Sequence, residues 1–256
     1  MKYIHIKEEK HIQHIFLDSG KSNALDLLSV EELTETIKEA ESRENIEGII
    51  LHGKEGFFSS GLDLIKLYEY DESQILTFWQ KFMTLVDTLA GFTKPAIAAI
   101  SGHSPAGGCI LTLCCDYRVM VRGDFVIGLN EVPIGIVVPP AIFKLYSFWI
   151  GEAMAYKSLL TGKLFTPEEA LEIQLVDELT EANKIRTSAE HKLNAFTQFE
   201  KNAWRKSKLN FRKHLLKSLK ENREESINQV LEQWWKPNTR EVLKVLIDNL
   251  SSKGEK

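Results

Sequence analysis

Residues 94–119, KPAIAAISGHSPAGGCILTLCCDYRV, carry the strongest fold signal in the chain. The mostly apolar runs Ala96–Ile100 and Tyr117–Val121 have the length and composition of buried strands. Between them, the small and apolar segment Gly107–Cys115 predicts a helix. A strand, a helix and a second strand in this order are typical of an α/β fold, in which the helix connects neighbouring strands of a sheet.

The other predicted elements continue this alternation along the chain. A helix is predicted to start at a capping box formed by Ser29 and Glu32. The further strands are predicted at Tyr3–Ile6, His11–Leu17, Gly48–Leu51 and Phe125–Ile127, and a long helix at Ser73–Ala90. After Pro139 the pattern becomes mostly helical, and the sequence contains neither an internal repeat nor a low-complexity linker.

The loop between the central strand and helix resembles the turn that carries the nucleophile of many hydrolases. Its GHSPA differs from the G-x-S-x-G pattern only at the last residue, with Ser104 in the serine position. In such enzymes the residue after the serine donates its N–H to the oxyanion, and Pro105 has no N–H to donate. We therefore expect Ser104 to be a poor nucleophile.

The same loop suits an oxyanion hole made of main-chain amides. If Pro105 occupies the first turn of the helix, the N–H groups of Ala106, Gly107 and Gly108 lack helical acceptors and face outward at the positive end. Glycines also let a ligand or another segment of backbone approach closely. From the residues alone, oxyanion binding and tight helix packing both remain open for the two glycines.

Composition and charge argue against several classes of protein. The chain has 256 residues, is 43% hydrophobic and has a formal net charge of −4, which gives no support for nucleic-acid binding. No run approaches 18 apolar residues, so a membrane span is not expected. Cys109, Cys114 and Cys115 are odd in number and lie in an apolar segment, which favours a reducing, cytoplasmic setting. The histidines show no metal-binding spacing, so no metal is expected.

The last fifth of the chain predicts helices that need a surface to pack on. Residues 201–220 carry eight lysines and arginines around Trp204 and Phe211. Residues 227–235 present a broad apolar face, and Pro237 is predicted to begin another helix with an apolar side. Because helices this short cannot bury such faces alone, they must pack on the main body, on a neighbouring subunit or over a ligand.

Three further motifs, together with residues 94–119, resemble the enoyl-CoA hydratase/isomerase, or crotonase, superfamily. They are NAL at Asn23–Leu25, FFSSGLDL at Phe57–Leu64 and IGLNEVPIGIVVP at Ile127–Pro139. Within the superfamily they look most like the mitochondrial-type delta(3)-delta(2)-enoyl-CoA isomerases. The resemblance implies a crotonase-like spiral of ββα units in residues 1–195, followed by a C-terminal helical region, 196–256, for trimerisation and active-site cover. It also implies a homotrimer or a dimer of trimers.

The resemblance also assigns the reacting groups. The family holds a thioester carbonyl with two main-chain N–H groups, which match Leu62 and Gly107 here. Family members use acids at three positions, and only the acid that matches Glu131 is present, since Ile110 and Pro139 occupy the other two. A single carboxylate is able to move a proton between two carbons, whereas the hydratases use two glutamates to activate a water.

We therefore expect an isomerase of fatty-acid β-oxidation that converts 3-enoyl-CoA to 2-trans-enoyl-CoA. Glu131 would take the C2 proton and return it at C4, while the two N–H groups stabilise the dienolate oxygen. The apolar residues around Glu131 predict a raised pKa, which strengthens the base. The alternatives are another crotonase-type reaction, such as hydration, thioester hydrolysis or decarboxylation, and a non-catalytic acyl-CoA binder.

The expected substrate contacts are Asn23, Ala24, Leu25, Ser60, Gly61, Asp63, Leu64, Lys66, Gly108 and Asn130. The resemblance places residues 23–25 and 60–64 near the adenine. For Asn130, contact with the thioester, orientation of Glu131 and a role in structuring its loop all remain open. For Asp63, a local role as an acceptor that organises the Leu62 loop is favoured over a role as an acid. No separate cofactor is expected, because coenzyme A is part of the substrate.

Candidates for the two ends of the substrate are less specific. Lys66 and the basic segment 201–220 are candidates for binding the coenzyme A phosphates. Trp79, Phe82 and the pair Trp234–Trp235 are candidates for an apolar wall around the acyl chain. Core packing is the more conservative interpretation of these aromatic residues.

Overall fold

The structure is a computed structural model that describes residues 2–254. This part of the chain contains nine strands and twelve α-helices. The strands are β1 (Ile4–Glu9), β2 (Ile12–Leu17), β3 (Gly48–His52), β4 (Gly56–Phe57), β5 (Ala96–Ile100), β6 (Gly102–Pro105), β7 (Tyr117–Val121), β8 (Ile127–Gly128) and β9 (Glu178–Thr180). The helices are α1 (Leu27–Ser42), α2 (Leu64–Tyr68), α3 (Glu72–Ala90), α4 (Gly107–Cys114), α5 (Pro140–Ile150), α6 (Glu152–Thr161), α7 (Pro167–Glu172), α8 (Ile185–Thr197), α9 (Lys201–Phe211), α10 (Lys213–Ser218), α11 (Arg223–Trp234) and α12 (Pro237–Gly254). Met1, Glu255 and Lys256, which the predicted ranges 1–195 and 196–256 include, lie outside the described residues.

The strands form two sheets, and the chain alternates between them. The six-stranded sheet has the order β1-β2-β3-β5-β7-β9, and the three-stranded sheet has the order β4-β6-β8. The hairpin of β1 and β2 is antiparallel, and the other paired strands are parallel. After each of β3, β5 and β7 the chain adds a strand to the smaller sheet and then forms helix. The predicted α/β fold, a spiral of ββα units, is confirmed.

The large sheet is covered on both faces, which explains its apolar central strands. Every residue of β3 and β5 is buried. Ile49 and Leu51 belong to the main core, which also contains buried side chains of α1 and α3. On the other face, Ile50 and Ile97 pack with Leu193 of α8. Strands buried on both faces have continuous apolar runs, and such runs made these strands predictable.

The predicted elements near the centre of the chain agree closely with the structure. The strands predicted at 48–51, 96–100 and 117–121, and the helices predicted at 73–90 and 107–115, are confirmed to within one residue at each end. The strand predicted at 125–127 begins two residues later, at Ile127, and β1 extends three residues beyond its predicted end, to Glu9.

The start of α1 differs from its prediction. Asp26, and not Ser29, is the N-cap, because its side chain accepts the Ser29 N–H at 2.8 Å. Ser29 Oγ accepts the Asp26 N–H in return, at 2.9 Å, which completes the capping box. Glu32 instead accepts the N–H of Lys2. Asp and Ser are comparable N-caps, so local sequence did not discriminate between two starts three residues apart.

The start of α4 also differs from its prediction. Pro105 ends β6 and does not lie in the first helical turn, which begins at Gly107. The Ala106 N–H is not free, because it donates to the Gly128 carbonyl at 2.8 Å. Pairing between β6 and β8 accounts for this bond, and sequence alone does not reveal which strands pair.

The C-terminal helices pack on the main body of their own chain. Trp234 of α11 and Leu243 of α12 are buried in the core. Arg240 of α12 donates to the Tyr68 carbonyl of α2 at 2.9 Å, and its guanidinium lies 3.4 Å from the centre of the Tyr68 ring. These contacts fix α12 beside α2. Between residues 2 and 254, the structure has no helix with the length and apolar content to cross a bilayer.

Candidate active site

A cavity of about 590 Å³ lies between strand-end loops and α12. Loops that follow β2, β4, β6 and β8 contribute to its wall. The lining residues are Lys21, Ser22, Ala24, Phe57, Ser60, Leu62, Asp63, Leu64, Ile65, Pro105, Ala106, Asn130, Glu131, Ile134, Ile136, Leu246 and Leu250. Ligands of α/β proteins commonly bind beyond the carboxyl ends of strands, so this position suits a binding site.

Two main-chain N–H groups, from Leu62 and Gly107, lie close together beside this cavity. A Cβ placed on Gly61 would lie 3.0 Å from the Gly107 nitrogen, so the two loops are in contact. Leu25 pairs with Leu62 through hydrogen bonds to the Gly61 carbonyl and the Asp63 N–H. Because this bridge uses the groups on either side of Leu62, the Leu62 N–H points away from Leu25. Within residues 2–254, neither the Leu62 nor the Gly107 N–H has a hydrogen-bond acceptor.

The backbone before Gly107 is held in an uncommon conformation. Ala106 has φ 48° and ψ −122°, a region that residues with a Cβ rarely occupy. The hydrogen bond from the Ala106 N–H to Gly128 ties this residue to β8. Gly107 is then the first residue of α4, so its N–H lies at the positive end of that helix. Strain of this kind persists only where surrounding contacts impose it, and it is frequent at functional sites.

Glu131 supplies a buried carboxylate to the same cavity. Its carbonyl accepts the N–H groups of Ile134 and Ile136, which fixes the short 3-10 turn that follows β8. Only 7% of Glu131 is exposed, and its Oε2 has no hydrogen-bond partner among the described residues. Burial raises the pKa of Glu131 to about 7, and main-chain N–H groups of Glu131 and Asn130 offset part of this effect. A carboxyl with this pKa is able both to accept and to donate a proton near neutral pH.

Some of the residues predicted to bind substrate line the cavity, and others support its wall from behind. Those that line the cavity with Glu131 are Ala24, Ser60, Leu62, Asp63, Leu64 and Asn130. Asn23 is buried, accepts the Ser19 N–H and donates to the Phe58 carbonyl. A Cβ on Gly108 would lie 2.4 Å from the Ser59 carbonyl oxygen, so Gly108 permits close packing of two loops. Asn23 and Gly108 therefore shape the wall without lining it, as do Leu25 and Gly61.

Lys66 forms ion pairs with two carboxylates, whereas Lys21 lines the cavity. The Lys66 Nζ lies 2.7 Å from Asp26 Oδ2 and 3.3 Å from Asp63 Oδ2, and the hydrogen bond to Asp26 raises the pKa of Lys66. Asp63 also caps α2 by accepting the Lys66 N–H. Among the described residues, the basic helix α9 contributes none to the lining. Lys21 was missed because a lone lysine in a polar turn gives no sequence signal.

The apolar part of the wall comes from residues that the sequence analysis recognised as apolar but did not assign to the acyl chain. Ile134 and Ile136 lie beside Glu131, and Leu246 and Leu250 come from α12. The predicted wall residues Trp79, Phe82 and Trp234 are buried in the core, and Trp235 lies partly exposed outside the lining. Core packing, the interpretation that the sequence analysis favoured, is confirmed for Trp79, Phe82 and Trp234, and none of the four aromatic residues lines this cavity. The apolar face of α12 was a usable signal, but the surface it covers depends on tertiary packing.

Two other kinds of chemistry, a serine nucleophile and a metal ion, find little support at this site. Ser104 is fully buried, and its Oγ has no hydrogen-bond partner among residues 2–254, so no base is placed to activate it. In the described part of the chain, the one group of three His, Cys, Asp or Glu side chains close enough to share a metal ion is Glu9, His14 and Glu190. None of these three residues lines the cavity.

Comparisons with known proteins give a family and two kinds of relative. The family model described as "Enoyl-CoA hydratase/isomerase" matches residues 7–242. Enoyl-CoA delta isomerase 1, mitochondrial, of Mus musculus is 38% identical over 169 residues, which cover 65% of this chain and 58% of the mouse protein. A probable enoyl-CoA hydratase of Bacillus subtilis is 28% identical over 179 residues, which cover 69% of this chain and 68% of that protein.

A solved structure shares the fold over nearly its whole length. The crystal structure of human mitochondrial delta3-delta2-enoyl-CoA isomerase matches with a TM-score of 0.95 and 25% sequence identity. The match covers 98% of this chain and 99% of the human chain. It therefore includes the C-terminal helices as well as the two sheets.

Proposed function

Because the chain belongs to the enoyl-CoA hydratase/isomerase family, which acts on acyl-CoA thioesters, we propose that it is an enoyl-CoA isomerase. Its reaction would convert 3-enoyl-CoA to 2-trans-enoyl-CoA, a step that serves the β-oxidation of unsaturated fatty acids. The observation that carries the proposal is the single buried carboxylate, Glu131, with a pKa raised to about 7. The likeness to the mouse and human isomerases supports the same reaction.

In the first step, Glu131 removes a proton from C2 of the acyl chain. The electron pair of the C2–H bond forms a double bond between C1 and C2, and the carbonyl pair moves onto the thioester oxygen. The N–H groups of Leu62 and Gly107 donate to this oxygen, where the negative charge develops. Each donor of this kind lowers a barrier by about 3 kcal/mol in enzymes where one has been removed.

In the second step, the protonated Glu131 delivers its proton to C4. The thioester carbonyl re-forms, the double bond settles between C2 and C3, and Glu131 returns to its starting ionisation state. The base needs no water and no second acid, because the same proton leaves one carbon and reaches another. Burial of Glu131 supports this exchange, since a pKa near 7 keeps both directions of transfer accessible.

Hydration of a 2-enoyl-CoA is the second candidate, favoured by the likeness to the probable Bacillus hydratase. A hydratase needs a second acid to orient the attacking water. Ile110 and Pro139 stand at the other acid positions of the family, and neither side chain exchanges a proton. Asp63 does line the cavity, but it is committed to the cap of α2 and to Lys66. We expect hydration to be much slower than isomerisation.

Coenzyme A enters this proposal as part of the substrate, with no separate cofactor or metal. Lys21 is the best-placed cation for its phosphates, since Lys66 would have to leave Asp26 and Asp63. We further propose that residues 1–195 form the catalytic core, and that residues 196–256 cover the site and help to assemble homotrimers or paired trimers. Exposed Tyr156 and Phe211 support such association. Three buried free thiols support a reducing compartment such as the cytoplasm.

Product analysis of one substrate pair tests the reaction. The purified protein is incubated with 3-hexenoyl-CoA and, separately, with 2-trans-hexenoyl-CoA. The products are separated by chromatography, and their masses are measured by mass spectrometry. An isomerase gives a conjugated product of unchanged mass from the first substrate and little change in the second. A product heavier by one water would instead indicate hydration, and release of free coenzyme A would indicate thioester hydrolysis. Binding without turnover would indicate a non-catalytic binder.

A further inference from the structure

Glu9, His14 and Glu190 converge on the α8 face of the large sheet, away from the cavity lining. Glu9 is the last residue of β1, His14 belongs to β2 and Glu190 belongs to α8. One oxygen or nitrogen ligand atom from each of the three side chains lies within 4.8 Å of the others. From this arrangement we infer that the three side chains form a binding site for a divalent metal ion of the zinc class.

The histidine is placed as a metal-binding histidine would be. His14 is fully buried, and its Nε2 has no hydrogen-bond partner among residues 2–254. This nitrogen lies 3.7 Å from Glu190 Oε1, which is too long for a hydrogen bond but suits two ligands of one ion. The carboxylate does not satisfy the ring nitrogen directly, whereas a shared cation would.

A second histidine holds the ring in this orientation. The Nδ1 of His14 lies 3.0 Å from Nε2 of His52, which is also buried. When His14 donates through Nδ1 to His52, the lone pair of its Nε2 points toward the two carboxylates. Metal-binding histidines are typically oriented in this way by a partner on the other ring nitrogen. His52 therefore acts as a positioning residue for the site.

Arg186 shows that the two carboxylates already gather around a positive charge. Its Nε lies 2.6 Å from Glu190 Oε1, and its Nη2 lies 2.5 Å from Glu9 Oε1. Lys7 adds a second pairing to Glu9, at 2.6 Å. The guanidinium donates to the two carboxylates but to no atom of His14, whose Nε2 stays without a hydrogen-bond partner among the described residues, whereas a metal ion would bind all three ligands. Arg186 is partly exposed and would have to move outward for the metal to bind, so it competes with the metal for the two carboxylates.

The ligand set selects the class of metal. One imidazole and two carboxylates suit Zn²⁺, whose protein sites commonly combine these groups and leave a fourth position to water. Mg²⁺ and Ca²⁺ prefer oxygen ligands alone, so the imidazole disfavours them. A bound ion would join α8 to the β1–β2 hairpin, and it should raise the stability of the folded chain in proportion to its occupancy.

Zinc titration of the chelator-treated full-length protein tests this inference. Calorimetry should show one Zn²⁺ per chain, and the melting temperature should rise with added Zn²⁺. Glu190→Gln and Glu9→Gln should each weaken binding by at least about tenfold and reduce the shift in melting temperature. His14→Gln should abolish binding, but this variant alters a buried position, so the two partly exposed glutamates carry the test if it does not fold.

Two more variants distinguish this site from adventitious binding. His5→Gln removes an exposed histidine that pairs with the single carboxylate of Asp18, and it should leave zinc binding unchanged. Arg186→Gln removes the competing cation and should tighten binding. The inference fails if wild-type protein shows neither binding nor a melting shift. It also fails if both glutamate variants bind Zn²⁺ as wild type does, since the ion would then lie elsewhere.

Discussion

Glu131 and Asp116 are two largely buried carboxylates in opposite surroundings. Asp116 accepts the Ala96 N–H at 2.9 Å and the Lys208 ammonium at 2.6 Å, and Arg212 lies 3.3 Å away. Glu131 lines a cavity, pairs with no cation among the described residues, and leaves Oε2 without a hydrogen bond. One carboxylate is surrounded by compensating charges, and the other is left without them.

The difference separates a structural acid from a candidate catalytic one. A buried carboxylate that is fully paired contributes to the fold, and it has no proton-accepting oxygen to spare. An unpaired one costs stability when ionised, and the same cost appears as a raised pKa. An unpaired carboxylate that is buried in a cavity despite this cost is a candidate functional residue. The two sites should therefore respond in opposite ways to the loss of their charge.

Glu131→Gln should have the largest effect on activity. Losing the proposed general base should lower kcat by about 10³-fold, which is within the usual range for such groups. Steady-state isomerisation of 3-hexenoyl-CoA, with binding measured separately, checks this prediction. Glu168→Gln, which neutralises an exposed carboxylate paired with Arg122, is the matched control and should keep wild-type activity. Wild-type turnover by the Glu131 variant would refute the assignment of this residue as the base.

The same variant should be more stable than wild type at alkaline pH. In the folded protein the pKa of Glu131 is about 7, against an ordinary value of 4.5. Because the folded state holds this proton more tightly, stability from this group falls as pH rises from about 4.5 to 7 and stays low above. The difference corresponds to about 3 kcal/mol. Urea unfolding at pH 5 and pH 8 should therefore show a larger gain for Glu131→Gln at pH 8 than at pH 5.

Asp116→Asn should show the reverse behaviour. It leaves the buried Lys208 and Arg212 charges without their carboxylate, which should cost about 3 kcal/mol of folding free energy. Turnover per folded molecule should change little, because Asp116 does not line the cavity. Urea unfolding and active-site titration measure the two quantities. Glu47→Gln breaks an exposed pair with Lys201 of α9 and should cost less than about 1 kcal/mol. Equal costs for the two variants would contradict the comparison.

Gly61→Ala should damage the amide pair without touching Glu131. Gly61 has φ +87°, and an added Cβ would lie 3.0 Å from both the Gly107 nitrogen and the Ala106 Cβ. The loops must separate to relieve this contact, so kcat should fall by about 10²-fold. Gly56→Ala is the control, since Gly56 has φ +81° and nothing within 4 Å of an added Cβ. If both variants lose activity equally, backbone strain and not the amide pair is responsible.

The sequence predicted those parts of the molecule that depend on local pattern. The apolar runs of β3, β5 and β7 identified the buried strands. The resemblance of the motifs to the crotonase superfamily singled out Glu131, Leu62 and Gly107, whose roles stay predictions. The remaining features depend on residues distant in sequence. Asp116 gave no sign of its partner Lys208 on α9, and Leu246 gave no sign of the cavity it lines, because both depend on where the C-terminal helices pack.

The pH dependence of activity should report the Glu131 environment directly. The base must be ionised to remove the C2 proton, so kcat/KM should rise about tenfold per pH unit below about pH 7 and then level off. An acid limb centred near the ordinary glutamate value of 4.5 would mean that the carboxyl is solvated in the working enzyme. Rates measured from pH 5 to pH 8, with stability checked at each pH, decide between the two.

Leu246→Ala should have the smallest effect, on the choice of acyl chain and not on the chemistry. Leu246 of α12 lines the cavity, and truncating it lengthens the apolar space beside Ile134 and Ile136. The ratio of kcat/KM for a twelve-carbon over a six-carbon 3-enoyl-CoA should rise by about three- to tenfold, the scale expected for a small change in apolar contact. Val245→Ala shortens a neighbouring exposed residue outside the lining and should leave the ratio unchanged. An unchanged ratio in the Leu246 variant would mean that the acyl chain leaves the cavity by another route, and that α12, unlike the walls that hold Glu131 and the amide pair, does not contact the substrate.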